Sequence, residues 1–256
     1  MNLILISFLL GLFTWFLTSL GAAMIFLSKN FSRKFIDGAL GLSAGIMLSL
    51  SIWSLLIPSV EISKDLDNYK LIPPVLGFLI GSFFMYILDN FAPHLHIFDS
   101  EDKKEGLKVN FKKTTLLFLA MTIHNFPEGL AIGVNIGSNN ILSGLFLALA
   151  VGIQNIPEGL AISLPLHLEG LSKSKSFYYG QISAIVEPIG AVLGCLVVSL
   201  WRKLLPYALS FAAGAMVYVV VEELIPESQK AENTNLATLS LLVGFILMMI
   251  LDLSFN

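Results

Sequence analysis

HNFPEGLAIGV (124–134) and QNIPEGLAISL (154–164) repeat each other at seven of eleven positions: Asn125/Asn155, Pro127/Pro157, Glu128/Glu158, Gly129/Gly159, Leu130/Leu160, Ala131/Ala161 and Ile132/Ile162. Both copies lie inside long apolar runs. Each sets a carboxylate directly after a helix-breaking proline, where the flanking residues would suit hydrocarbon. An ionised group at the centre of a bilayer costs about 2.5–3.5 kcal/mol even on the lenient insertion scale. The repeated glutamate therefore needs a chemical reason.

The chain around the repeat reads as a membrane protein. Its 256 residues are 55% hydrophobic and 13% charged, against about 25% charged in soluble domains, and the mean hydropathy is +0.81. Windows of about 20 apolar residues predict an all-α polytopic protein with eight transmembrane helices, at 3–27, 36–58, 71–91, 114–137, 141–166, 177–201, 204–225 and 236–254. Residues 1–256 read as a single transmembrane domain. A net charge of −3 gives no reason to expect a nucleic-acid partner, and the single cysteine, Cys195, excludes an internal disulfide and a cysteine-built zinc site. Residues 3–27 are long enough to span and lack a basic n-region, so no cleavable signal peptide is expected. No GxxxxGK[ST] occurs to suggest ATP binding.

Loop charge predicts the orientation. With the N-terminus outside, the cytoplasmic loops hold Lys29, Arg33, Lys34, Lys103, Lys104, Lys108, Lys112, Lys113, Lys173, Lys175 and Lys230, while the outer loops hold Lys64, Lys70, Arg202 and Lys203. The positive-inside rule then puts both termini outside. The most charged stretch, at 99–113, reads as a solvated cytoplasmic linker. A fainter repeat pairs AGIM (44–47) and LIP (56–58) with AAGAM (212–216) and LIP (224–226). Both repeats relate spans of opposite direction, a common construction in secondary transporters, where substrate binds near the midplane.

The ionisable groups inside the predicted spans are His124, Glu128, Glu158, Glu187, Glu222 and Glu223, with Asp89 near an end and no Lys or Arg in any interior. Such acids are either protonated, as in a proton pathway, or joined by a cation. Spacing favours the cation. His124 and Glu128 are i, i+4, as are Gln154 and Glu158; Asn125 and Asn155 each precede their glutamate by three, so each group shares a helix face. Pro127 and Pro157 free the carbonyls of Ile123 and Ile153. Gly129 and Gly159 permit close helix approach. Imidazole, carboxylate and amide together suit a borderline dication such as Zn²⁺, Fe²⁺, Mn²⁺ or Co²⁺, and His124 argues against a pure Ca²⁺ or Mg²⁺ cage. Glu187, again before a proline, reads as a further ligand. Asp89, His94 and His96 read either as a cytoplasmic exit site or as a solvated cap. Met47 alone reads as core, and Glu222 and Glu223 as pathway or interface groups.

HNFPEG and QNIPEG, in an eight-span chain with SAGIMLSLSIWSLLIP on span 2, resemble the ZIP (Zrt/Irt-like) metal transporters, and most closely the bacterial GufA-like subgroup. The resemblance covers nearly the whole chain. It implies uptake of divalent metal, mainly zinc (with Fe²⁺, Mn²⁺, Co²⁺ and Cd²⁺ as other cargoes), into the cytoplasm across the inner membrane without ATP or an organic cofactor. It implies a 3+2+3 helix arrangement, usually a homodimer in the lipid bilayer, and elevator-type alternating access. It also implies a two-metal centre: His124, Glu128, Gln154 and Glu158 with Met47 nearby match one site. Asn125, Asn155 and Glu187 match the second, bridged by Glu128 and Glu158. Asp89, His94 and His96 resemble the family's exit region, and Ser54 matches a position lining the outer entrance. Some relatives carry Asp at the position of Asn155 and His at that of Gln154; an amide at either place lowers charge or ligand strength. The rival reading is a proton- or cation-conducting channel with the same lining. No HExxH and no GxGD occur, so a membrane protease, or any enzyme, is not expected.

Overall fold

The computed structural model describes residues 2–27, 31–91 and 113–255. These are helical, and no strand occurs among them. The elements are α1 (Leu3–Ala23), α2 (Arg33–Leu50), α3 (Ile57–Ser63), α4 (Ile72–Phe91), α5 (Lys113–Gly137), α6 (Ile141–Leu168), α7 (Lys173–Ser183), α8 (Val186–Leu200), α9 (Leu205–Val219), α10 (Ile225–Gln229) and α11 (Thr234–Phe255). Polar caps start several of them: Asn2 on α1, Ser32 on α2, Asn140 on α6 and Ser172 on α7 each accept from a backbone N–H of the first turn. Seven helical stretches among the described residues are long and apolar enough to cross a membrane: Leu3–Phe26, Arg33–Tyr69, Ile72–Phe91, Ile141–Leu168, Lys173–Leu200, Arg202–Gln229 and Thr234–Ser254. The α5 helix, 25 residues long, is diluted by His124, Asn125, Glu128 and Asn135 and is not one of the seven. The expected linker at 99–112 lies outside the described residues, and Lys113 is the first residue of α5.

Two details lie beyond what the apolar windows resolve. The stretch read as one span over 177–201 is broken: the helix stops at Ser183, turns through Ala184 and Ile185, and restarts as α8 with Glu187 in its first turn. An acid there faces the positive end of the helix dipole. The second concerns bases. The windows excluded Arg33 and Glu227, but α2 begins at Arg33 and α10 carries the stretch on to Gln229. Arg33 pairs with Asp37 at 2.6 Å and with Glu227 at 3.4 Å, Lys230 pairs with Glu227 at 2.9 Å, and Asn233 donates to Asp37 at 3.0 Å. Asp37 and Glu227 are buried, so this network ties α2, α10 and the start of α11 together at one end of the bundle.

The helices pack as four main pairs, α1 with α6, α5 with α8, α2 with α11 and α4 with α9. The first two pairs and α7 contact one another and form one set; the other two, with α3 and α10, form a second. The sets meet chiefly where α2 packs on α6 and α5 on α9. The glycine of each repeated motif makes one pair close. A Cβ on Gly129 would collide with the backbone carbonyl of Glu187 on α8, and one on Gly159 with that of Thr18 on α1. Most of the hydrogen bonds between helices lie within a set. Trp15 donates to the carbonyl of Gln181 in the first; in the second, Ser59 donates to that of Pro206, Ser82 to that of Gly214 and Ser210 to that of Pro73.

The fainter repeat has a structural counterpart. Four residues after Met47, α2 widens into a π-helical segment, Ser51–Leu56; four residues after Met216, α9 does the same at Val220–Leu224. Each runs into the proline of its LIP. Pro58 and Pro226 lack the N–H that would bond the carbonyls of Ser54 and Glu222, and the wider turn accommodates the mismatch. Ser54 and Glu222 thus occupy matching places.

The end network predicts a stability contrast. Arg33→Ala leaves Asp37 without its cation, and should lower the unfolding free energy in detergent by about 2 kcal/mol. Lys64→Ala, whose pair with Glu61 is more than half exposed on both sides, should change it by less than about 0.5 kcal/mol. Thermal unfolding of the two variants checks this.

Candidate metal-binding centre

Residues Ser138–Asn140 join α5 to α6, with Asn139 in the left-handed region at φ 72, a conformation asparagine tolerates better than most residues. So short a connection makes the helices antiparallel neighbours. It brings the two motifs face to face: Gln154 Nε2 donates to Glu128 Oε1 at 3.0 Å. The restart of α8 adds the third acid. Asn155 Nδ2 donates to Glu187 Oε1 at 3.1 Å, and Thr18 Oγ1 of α1 donates to the same oxygen at 3.1 Å. Gly11 and Gly129, on α1 and α5, leave room for the Glu187–Pro188 backbone between those helices. From α2, Ser43 Oγ donates to the Gln154 carbonyl at 2.7 Å.

Glu128, Gln154, Asn155, Glu158 and Glu187 are all at most 2% exposed. Glu128 lies near enough to feel the charges of both Glu158 and Glu187. Among the described residues, Lys and Arg pair with Asp37, Glu61 and Glu227 and with none of these three. The donors that reach them are neutral amides and hydroxyls, and these leave much unsatisfied. Asn125 Nδ2 and Oδ1, Glu128 Oε2, Gln154 Oε1, Glu158 Oε1 and Glu187 Oε2 are buried with no hydrogen-bond partner among the described residues. Each unpaired buried polar atom costs about 1–3 kcal/mol, and charged ones more. Five of the six are oxygens, the donor set that a hard or borderline dication takes up. Among the described residues no three His, Cys, Asp or Glu side chains enclose an ion by themselves, so an ion here would draw on the amides as well as the acids.

The other candidates are distributed as follows. His124 is buried one turn before Glu128 on α5. Met47 is fully buried in the apolar core one turn after Ser43 on α2. Ser54 is buried in the first π-helical segment and donates to Asp252 of α11 at 2.5 Å. Asp89, near the end of α4, is buried and accepts from Tyr218 of α9 at 3.1 Å. His94 and His96 lie outside the described residues. Glu223 is buried in the second π-helical segment, beside a half-exposed Glu222.

Sequence reading missed Thr18, Ser43 and Asp252. Thr18 and Ser43 are hydroxyls on apolar helices, and nothing in their spacing says which neighbour they reach. Asp252 had a readable signal: it is an acid four residues from the chain end inside a run of Leu, Met and Ile.

A multi-pass helical bundle with buried acids and amides, gathered where proline-containing helices meet a broken one, has the construction of a membrane transporter. The family model described as ZIP zinc transporter matches residues 99–252. The chain is 39% identical to the zinc transporter ZIP11 of Xenopus tropicalis, over 95% of this chain and 96% of that protein. It is 39% identical to the zinc transporter GufA of Myxococcus xanthus, over 93% and 94%, and 36% identical to the zinc transporter ZupT of Chlorobaculum parvum, over 96% of each. The chain belongs to the ZIP zinc transporter family, with GufA-like relatives. It is a transporter rather than an enzyme.

The crowding of acids has a measurable consequence. In chelator, Glu128→Gln replaces a buried acid that faces both other carboxyl groups with a neutral group of the same shape. It should raise the unfolding free energy of the metal-free protein by about 1 kcal/mol, read as an upward shift of the thermal midpoint.

Proposed function

We propose that this protein imports divalent transition metal, zinc foremost, into the cytoplasm without ATP. The observation that carries the reading is the set of buried oxygens on Glu128, Glu158, Glu187, Gln154 and Asn125 that have no hydrogen-bond partner, and no Lys or Arg paired to the acids, among the described residues. The metal exchanges its water shell for His124, Glu128, Gln154 and Glu158, with Met47 alongside. Asn125, Asn155 and Glu187, sharing Glu128 and Glu158, hold a second ion. The names of the relatives support zinc as cargo; Fe²⁺, Mn²⁺, Co²⁺ and Cd²⁺ share the ligand preferences.

In this reading the α5 helix is the eighth span, and the order is three spans, two, and three, with inverted repeats. The positive-inside count supports a cytoplasmic-membrane protein with both termini outside. The protein works as a homodimer in the bilayer. Ser54, with Asp252, lines the outer entrance, and Asp89, His94 and His96 line the inner exit. Transport follows when the set carrying α1 and α5–α8 moves against the other. The packing supports this, since interhelical polar bonds lie mostly inside each set.

Purified protein in liposomes tests the proposal. Wild type should show saturable zinc uptake, and Glu158→Ala should reduce it by about 100-fold or more. If every metal failed while proton flux persisted, the lining would belong to a proton pathway. A second outcome concerns pH. Because the ligands must lose protons to bind, zinc affinity should fall as the medium is acidified and binding should release protons, both read by calorimetry in buffers of different ionisation enthalpy.

A further inference from the structure

We propose that Ser43 is a positioning residue that latches the two helix sets together at the metal-binding centre, and that its hydroxyl must let go of the Gln154 carbonyl whenever the sets move against each other. The inference rests on the transport reading above.

Of the interhelical hydrogen bonds named above, the bond from Ser43 Oγ to the Gln154 carbonyl, 2.7 Å long, is the one that crosses between the sets. Its length is that of a well-formed O–H···O bond. Ser43 is fully buried, so water does not compete for it. The acceptor residue is itself part of the centre, because the Gln154 amide donates to Glu128 at 3.0 Å. A continuous chain of bonds therefore runs from α2, in one set, through α6 to the acid on α5, in the other. Ser43 also lies close to Glu158.

The repeat supplies a comparison within the same molecule. SAGIM at 43–47 aligns with AAGAM at 212–216, so the counterpart of Ser43 is Ala212. The seam between α9 and α5 matches the seam between α2 and α6, and Ala212 is as completely buried as Ser43. The matching position is thus buried without a hydroxyl. The hydroxyl occurs only at the seam that faces Gln154, where it controls the backbone turn that presents Gln154, Asn155 and Glu158. Breaking one cross-set bond is a modest barrier, of the size that sets a rate without locking the protein.

The test compares Ser43→Ala with Ser82→Ala. Each loses one hydroxyl-to-carbonyl bond between helices, but the Ser82 bond to Gly214 joins α4 to α9 within one set. Two quantities are measured: turnover and KM for zinc in liposomes, and amide hydrogen exchange over residues 150–160 in the metal-free protein. Ser43→Ala is expected to raise turnover about fivefold, with KM within about twofold, and to speed exchange on the turn bearing Gln154. Ser82→Ala should match wild type in both. If Ser43→Ala matched Ser82→Ala in turnover and in exchange while wild type took up zinc, the latch would be wrong and the transport reading would stand. If wild type took up no zinc, the transport reading would fall, and the metal-free exchange would still decide whether Ser43 holds the sets together.

Discussion

Three carboxylates, Glu128, Glu158 and Glu187, are buried in a helical core, and no Lys or Arg pairs with them among the described residues. Ionised together at such depth, they would repel strongly. The surrounding arrangement manages that repulsion without removing it. Neutral donors bridge the acids: Gln154 reaches Glu128, while Asn155 and Thr18 reach Glu187. An amide can donate through nitrogen and still keep its oxygen. Gln154 does so, and its Oε1 remains unpartnered beside the acid oxygens. Lys or Arg in these places would neutralise the cluster permanently. Amides hold the acids in position without neutralising them permanently.

The backbone serves the same requirement. Placing the acids together depends on close helix pairs, and the motif glycines permit them, Gly129 against Glu187 and Gly159 against Thr18. The break after Ser183 puts Glu187 at a helix start rather than in mid-helix. The prolines of the two LIP sequences coincide with π-helical turns, which hold Ser54 on one element and Glu222 and Glu223 on its counterpart. Irregular backbone at this depth is tolerated only where protein or a wet cavity covers it. It occurs twice, in matching places and beside polar side chains. Among the described residues, polar bonds between helices are concentrated inside each set, and the Ser43–Gln154 bond crosses between them.

Much of this was legible in the chain. The repeated NxPEG placed two acids on proline-interrupted apolar helices, and the i, i+3 and i, i+4 spacings put Asn125, His124, Gln154 and Asn155 on the same faces as their glutamates. Less was legible where two distant segments meet. A window scan sees length and hydropathy; it does not see that Ala184 and Ile185 break a helix whose composition runs on without interruption. It set the ends of the stretches inside Arg33 and Glu227, and so missed a buried network formed by residues 194 apart in the chain.

The sequence by itself determined that the chain is an apolar helical bundle with unpaired acids repeated at mid-depth, because periodicity and composition are local properties and a carboxylate in hydrocarbon is costly wherever it points. Only the tertiary structure decided which neutral groups hold those acids. Thr18, Ser43 and Asp252 are ordinary residues in their own helices. Their roles follow from helix pairing, which depends on close contact between segments far apart in the chain and leaves no periodic trace along it.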